Sequence, residues 1–186
     1  VGLGSNLLVR DGGYRGAVIC THQGLGHASP SGSSGYFAEA GVPCAKMARH
    51  SAQIGRCGAE FLSGIPGTIG GALAMNAGAY GHDIWSIVKK VELIDRQGQL
   101  YESTRDAFKI DYRSVVGHGD CWFLNATFDL IPGNKEEAQG AIRTLLQTRG
   151  REQPIQERSA GSVFKNPNGD FAARLIEAAG LKGQHC

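Results

Sequence analysis

Apolar and polar residues repeat along this chain with two periods, and the switches between them mark out its elements. From Ile87 to Asp95 the near-alternation Val-Lys-Lys-Val-Glu-Leu-Ile-Asp predicts a strand with one apolar face, and the turn Arg96-Gln-Gly98 returns it into Leu100-Tyr-Glu102 as a hairpin. Further strands are expected at Ala17–Cys20, Tyr36–Ala40 and Cys121–Leu130, the last carrying Trp122, Phe123 and Phe128. His22 to Ser34 is rich in Gly and Ser, contains Pro30, and reads as a loop or a junction between subdomains. Helical spacing takes over after Pro43, which suits a first helical position. That helix runs to about Ile54 with Gly55 as its stop, and Cys44, Met47, Ala48 and Ser51 share one face. Core packing is the simplest account of Met47 there.

Thr68 to Met75 predicts a short helix whose first amides face a ligand. The texture changes at Pro132-Gly133. Asn134, followed three residues later by Glu137, resembles a helix N-cap pair. The helix behind it runs to about Gln147, with Ala138, Ala141, Ile142 and Leu145 on one side and Gly150 and Pro154 ending it. A last helix, Phe171 to Ala179, is capped by Asp170 and stopped by Gly180. No internal repeat is visible. The pattern divides into an α+β unit over 1–131, with a subdomain junction near 22–35, and the start of a second α/β unit over 132–186.

Composition narrows the class. Charged residues are 19% of the chain and apolar ones 41%, within the range of a globular protein that buries a core. The formal net charge is only +2 and no Lys/Arg run occurs, so nothing favours nucleic acid or an anionic membrane as partner. No apolar run approaches the length of a membrane span. Cys20, Cys44, Cys57, Cys121 and Cys186 are scattered and never in CxxC spacing, and the six histidines form no HxxxH pair. This argues against a disulfide framework or a metal site and for a reducing cytoplasm.

The 28 glycines do change the picture, at about twice the average share. Six fall in the eighteen residues from Gly64 to Gly81, Gly-Ile-Pro-Gly-Thr-Ile-Gly-Gly-Ala-Leu-Ala-Met-Asn-Ala-Gly-Ala-Tyr-Gly, which contain no charged side chain. Glycine costs folding entropy, so such a run needs a backbone reason. One reason is close approach of main-chain N–H groups to a phosphate or a flat ring, with an anion held by amide dipoles and hydroxyls. The other is tight packing of backbone on backbone, and the sequence leaves both open. The candidate ligand contacts in this run are Gly64, Gly67, Thr68, Gly70, Gly71, Asn76, Gly78 and Gly81. The chain opens on a second such turn, Val1-Gly-Leu-Gly-Ser-Asn, which adds Gly2, Gly4, Ser5 and Asn6. Leu7 stands where the third glycine of GxGxxG would be, no helix pattern follows, and GxxxxGK[ST] is absent. The two common nucleotide-binding motifs are therefore excluded.

Reactive-looking residues gather in two stretches. In Asp111-Tyr-Arg-Ser114 a guanidinium fork beside Tyr112 suits a substrate carboxylate or a developing enolate, although a surface Arg paired with an acid fits as well. In Ser159-Ala-Gly-Ser-Val-Phe-Lys-Asn-Pro167, Gly161 frees the backbone to expose the Ser162 hydroxyl, with Lys165 and Asn166 close behind. No GxSxG elbow and no assignable His partner accompany it, so acyl transfer has little support.

In order, GLGSN, GIPGTIGGALAMNAGAYG, YRS, QP, AGSVFKNP and LIEAAGLKG resemble the MurB family, the UDP-N-acetylenolpyruvoylglucosamine reductases of bacterial peptidoglycan synthesis, over nearly the whole chain. The resemblance implies an FAD-binding fold of the vanillyl-alcohol oxidase (PCMH) type, followed by a domain for the UDP-sugar. It implies FAD as cofactor, NADPH as reductant, a monomer as the expected state, and hydride transfer to an enolpyruvyl double bond. By the same resemblance Arg113 stabilises the enolate, Ser162 donates the proton, and Tyr112, Lys165 and Asn166 face the substrate. The absence of a tyrosine-bearing insertion between YRS and QP matches the shorter subtype. The family carries more chain at both ends, including an acidic catalytic residue, so this stretch alone is expected to bind FAD weakly and turn over poorly. Two other readings stand beside it: a PCMH-type oxidase, disfavoured because no His or Cys sits in the glycine turns to tether flavin covalently, and a nucleotide-binding module without activity.

Overall fold

Five antiparallel strands make the central sheet of the computed structural model, which describes residues 1–152 and 161–184. They are β1 (Ala28–Ser31), β2 (Gly35–Glu39), β3 (Val88–Ile94), β4 (Leu100–Thr104) and β5 (Trp122–Asp129), in spatial order β1-β2-β5-β3-β4. The last strand thus enters between two hairpins. Its register stacks Phe128 between Tyr36 and Val88, and Ala126 between Ala38 and Val91, which gives two buried rungs across the sheet. Side-chain alternation in strands explains why both rungs face the same side.

Three helices belong to the first compact unit, Val1–Glu152. α1 (Cys44–Gln53) buries Cys44, Met47, Ala48 and Ser51, the face its spacing predicts, plus Ala52. Burying a side chain the size of Met47 contributes roughly 1.5–3 kcal/mol. α2 (Ile69–Met75) lies against β5, and its Leu73 carbonyl accepts from the Nε1 of the fully buried Trp85 at 2.8 Å. Trp85, Phe108 and Phe123 form an aromatic trio with centroids 4.8–5.9 Å apart. α3 (Lys135–Glu152) is capped as predicted: Asn134 Oδ1 accepts from the amides of Glu136 and Glu137 at 2.8 and 3.1 Å.

The structure differs from the sequence expectations at four points. Ala17–Cys20 is not a strand, because no described strand lies beside it to take up its ladder, and Val18 and Ile19 stay exposed. Residues 28–31, read as loop, form β1. Pro30 is tolerated because β1 is an edge strand, where a missing N–H breaks no ladder. α3 runs through Gly150 instead of stopping there. The helix also stays with the first unit, since Ala138 and Ile142 bury against α1 and the 3-10 turn Glu60–Gly64. The units part at Glu152/Gln153, beyond the change of texture at Pro132-Gly133. Pro154 lies outside the described residues.

The second unit, Gln153–Cys186, contains α4 (Ala172–Ala178). Its C-terminus closes as predicted: Gly180 takes φ +69°, its N–H bonds Glu177, and the Leu181 N–H bonds Ile176, a Schellman arrangement.

Candidate functional site

The two glycine turns, far apart in sequence, meet in space. Ser5 Oγ donates to the Pro66 carbonyl at 3.1 Å, and a Cβ placed on Gly2 would lie 2.2 Å from Thr68 Oγ1. From this contact opens a cleft of about 360 Å³ within the first unit. Gly2, Thr68, Gly70 and Gly71 form one wall and His118 to Phe123 the other, with Arg96 also on its lining.

The glycines divide by cause. At Gly64, Gly70 and Gly78 an added Cβ would sit 2.6–2.7 Å from Tyr80, Ala40 and His82 respectively, so internal packing accounts for them, whereas Gly67 takes φ +112° and owes its place to backbone conformation. Gly4 and Gly81 have φ of +72° and +80° and open space around them, which makes backbone conformation their reason. Gly71 fits neither cause. It lines the cleft, has no positive φ, and its Cβ would meet only Thr68 Oγ1, at 3.9 Å. A helical glycine that the fold does not require, on the wall of a cleft, is what close approach of a flat or phosphorylated ligand needs.

The expectation that the first amides of α2 face a ligand is corrected for two of them. Ile69 and Gly70 donate to the Val42 and Ala40 carbonyls at 2.9 and 2.8 Å, which laces the glycine run to the β2–α1 connection. These amides are spent inside the fold because α2 must dock against that connection. Among the described residues no bond is recorded for the Gly71 N–H, on the cleft side.

The opposite wall was not found from sequence. Its signal was the pair Gly117 and Gly119, with φ of +124° and +54°, which turn the chain into β5. Arg96 Nε donates to Asp120 Oδ2 at 3.2 Å, and its guanidinium lies 5.7 Å from the centroid of the half-exposed Trp122 ring. Asp95 fixes the turn that carries Arg96. The Tyr101 hydroxyl (2.8 Å), and then the Gln99 and Gln97 amides (2.9 Å each), hold its carboxyl below the ordinary carboxylate range.

The other candidates are not among the residues that line this cleft. Arg113 is half-buried at the tip of a two-residue turn between the short strands Lys109–Asp111 and Ser114–Val116, with φ +51° and its guanidinium 5.9 Å from the exposed Tyr112 ring. Asn76 ends α2 in the left-handed region and is nearly buried, its Nδ2 donating to the Asp111 carbonyl at 3.2 Å. Asn6 is exposed. In the second unit Ser162 is exposed on irregular chain behind Gly161, whose φ of +68° matches the freedom expected of it. Lys165 is also exposed, while Asn166 Oδ1 accepts from the Ala172 N–H at 3.1 Å and so caps α4, a job the sequence assigned to Asp170. Asp170 instead bonds the Phe171 N–H at 2.7 Å and pairs with Arg174.

Comparison with known proteins identifies the class to which the first unit belongs. Residues 1–104 match the FAD binding domain family, so the first unit is a flavin-nucleotide-binding domain of the PCMH type. Residues 153–186 match the C-terminal domain of UDP-N-acetylenolpyruvoylglucosamine reductase. The reductase of that name from Alkalilimnicola ehrlichii is 54% identical, over 98% of this chain and 61% of the relative; that from Methylococcus capsulatus is 50% identical, over 98% and 60%. The crystal structure of MurB from Thermus caldophilus superposes with a TM-score of 0.81 at 28% identity, over 99% of this chain and 66% of that one. The chain belongs to the UDP-N-acetylenolpyruvoylglucosamine reductase (MurB) family. It spans about three fifths of the length of these curated relatives.

Proposed function

We propose that the protein to which this chain belongs reduces UDP-N-acetylglucosamine-enolpyruvate to UDP-N-acetylmuramate, with FAD as cofactor and NADPH as reductant, for peptidoglycan synthesis. The observation that carries the reading is Gly71, open on the cleft wall for no reason internal to the fold. Gly2, Thr68, Gly70 and Gly71 would hold the dinucleotide on one side, and Gly4, Ser5 and Asn6 would shape its entry. When bound, FAD supplies hydride transfer from the nicotinamide to the enolpyruvyl carbon.

The chain's own residues do the rest. Arg113 places a fixed positive charge where the substrate's enolate develops; loss of a comparable donor costs about 3–4 kcal/mol in the transition state. Ser162 gives its hydroxyl proton to the substrate carbon, a transfer that a weak acid can make because the carbanion is a strong base. Tyr112, Lys165 and Asn166 bind the substrate's polar groups. All four described cysteines (Cys20, Cys44, Cys57, Cys121) are free, which supports work in the reducing cytoplasm, and no helix among the described residues is long and apolar enough to cross a membrane.

The test follows the two half-reactions of the full-length Ser162→Ala enzyme separately by flavin absorbance. NADPH should bleach the flavin at the wild-type rate. Reoxidation by the enolpyruvyl substrate should slow by about a hundredfold to ten-thousandfold. Wild-type reoxidation would remove Ser162 from the mechanism, and a colourless full-length protein indifferent to FAD would remove the whole reading.

A further inference from the structure

Asn76 combines two features that stability alone does not explain. It is 9% exposed, and its Oδ1 is buried without a hydrogen-bond partner. A buried amide that satisfies only one of its two polar atoms destabilises the fold, so its presence calls for another reason. Its other atom supplies one. Nδ2 donates to the carbonyl of Asp111, the last residue before the Tyr112-Arg113 turn.

That turn needs holding. Arg113 has φ +51°, a region that a long L side chain visits only where its surroundings over-determine the backbone. Asp111 steadies the approach with its own carboxylate, which accepts from the Tyr112 N–H at 2.6 Å. The Asn76 amide fastens the same residue from outside the hairpin. Asn76 itself sits in the left-handed region, φ +41°, which Asn accepts more readily than other L residues. It ends the seven-residue helix that lines the cleft with Gly70, Gly71 and Ala74. The Asn76 bond to Asp111 therefore joins the helix that walls the cleft directly to the arginine turn.

The geometry points to Asn76 as a positioning residue: its amide sets the place of Arg113 relative to the cleft, and it does not itself contact the bound dinucleotide. This inference rests on the role of Arg113 proposed above. It changes the reading of Asn76 from cofactor contact to the bolt between the cofactor wall and the turn that bears the charge.

Two variants of the full-length enzyme test it. Asn76→Gly keeps the left-handed backbone and deletes the amide. Asn76→Asp keeps shape and backbone tolerance but sets an acceptor against the Asp111 carbonyl. Both should lower kcat by about tenfold to a hundredfold, as a misplaced catalytic group does, with KM and the FAD dissociation constant within about threefold of wild type. In an Arg113→Ala background Asn76→Gly should cost less than about twofold more, since its effect travels through Arg113. Amide hydrogen exchange over residues 109–116 should quicken in both single variants. Rescue by Asn76→Asp, additivity with Arg113→Ala, or loss of FAD affinity at unchanged kcat would each overturn the inference. If wild-type enzyme does not turn over the enolpyruvyl sugar, the proposed function fails, while unchanged exchange over 109–116 would separately refute the tether.

Discussion

The two glycine turns meet at one contact yet are built in opposite ways. The run from Gly64 to Gly81 is laced into the core: Cys44 donates to the Gly67 carbonyl, Ile69 and Gly70 donate to Val42 and Ala40, and Thr68, Ile69 and Leu73 are buried. The opening stretch of 1–20 has no regular structure and leaves Leu3, Leu7, Leu8, Val9, Val18 and Ile19 exposed. Glycine therefore has different causes in the two. In the packed run most glycines admit a neighbour's atoms. In the open stretch Gly2 and Ser5 touch the packed run, Val1 donates to the Ile19 carbonyl and accepts from the Thr21 N–H, and local turns such as Leu7 N–H to the Gly4 carbonyl at 3.2 Å hold the rest. The contrast shows how one cleft wall is made rigid by the fold while its neighbour is placed by a few contacts.

The largest expected effect on this contrast comes from Gly70→Ala. The added carbon would stand 2.7 Å from Ala40 Cβ and 3.2 Å from the Ala40 carbonyl oxygen, neither on a flexible side chain. Overpacking of this kind costs about 1–3 kcal/mol, read as a lower Tm, and an unchanged Tm would mean the packed wall can yield. Next comes a buried tyrosine of β2. Tyr36 is fully buried with its hydroxyl 2.5 Å from His50 Nδ1, and burial pushes its pKa up to about 12. The unfolded tyrosine ionises near 10, so the stabilisation is whole below pH 10 and is lost as pH rises through about 12. Denaturation at pH 8 and pH 11 should show this loss. Tyr36→Phe should remove much of the slope at a cost near pH 8 of about 1 kcal/mol for the hydrogen bond.

Gly71→Ala, one residue from Gly70, should act in the opposite sense. No neighbour obstructs its Cβ, so helix propensity should raise stability by roughly 0.5–1 kcal/mol. FAD affinity of the full-length protein should fall, measured by equilibrium dialysis. A stabilised variant with undiminished affinity would take the ligand away from this wall. The smallest effect belongs to the open stretch: Leu8, 92% exposed, should tolerate Ser within about 0.5 kcal/mol.

Much of this architecture was legible because period and punctuation agreed. α1, α2, the β3–β4 hairpin, β5 and the Asn134 cap all follow from spacing plus a cap or turn residue. β1 was hidden because Pro30 reads as a breaker unless one knows that its strand lies at an edge. Ala17–Cys20 misled because an apolar run shows a preference for strand without showing whether a partner exists. In the cleft, the glycine wall was found from composition. The wall from His118 to Phe123 was not, since a cleft side formed by tertiary approach leaves no spacing to read. For the glycines themselves the sequence could pose two causes but not assign them. Only the distance from each missing Cβ to its neighbour separates Gly70 from Gly71.

The placement of the two tryptophans has a spectroscopic consequence. Trp85 is sealed inside the aromatic trio, whereas Trp122 stands at the cleft rim beside Arg96. Emission from the first should be blue-shifted and indifferent to small quenchers, and emission from the second red-shifted and open to them. The molecule thus carries an intrinsic optical gauge at the mouth of its cleft, and an internal standard beside it, with no label attached.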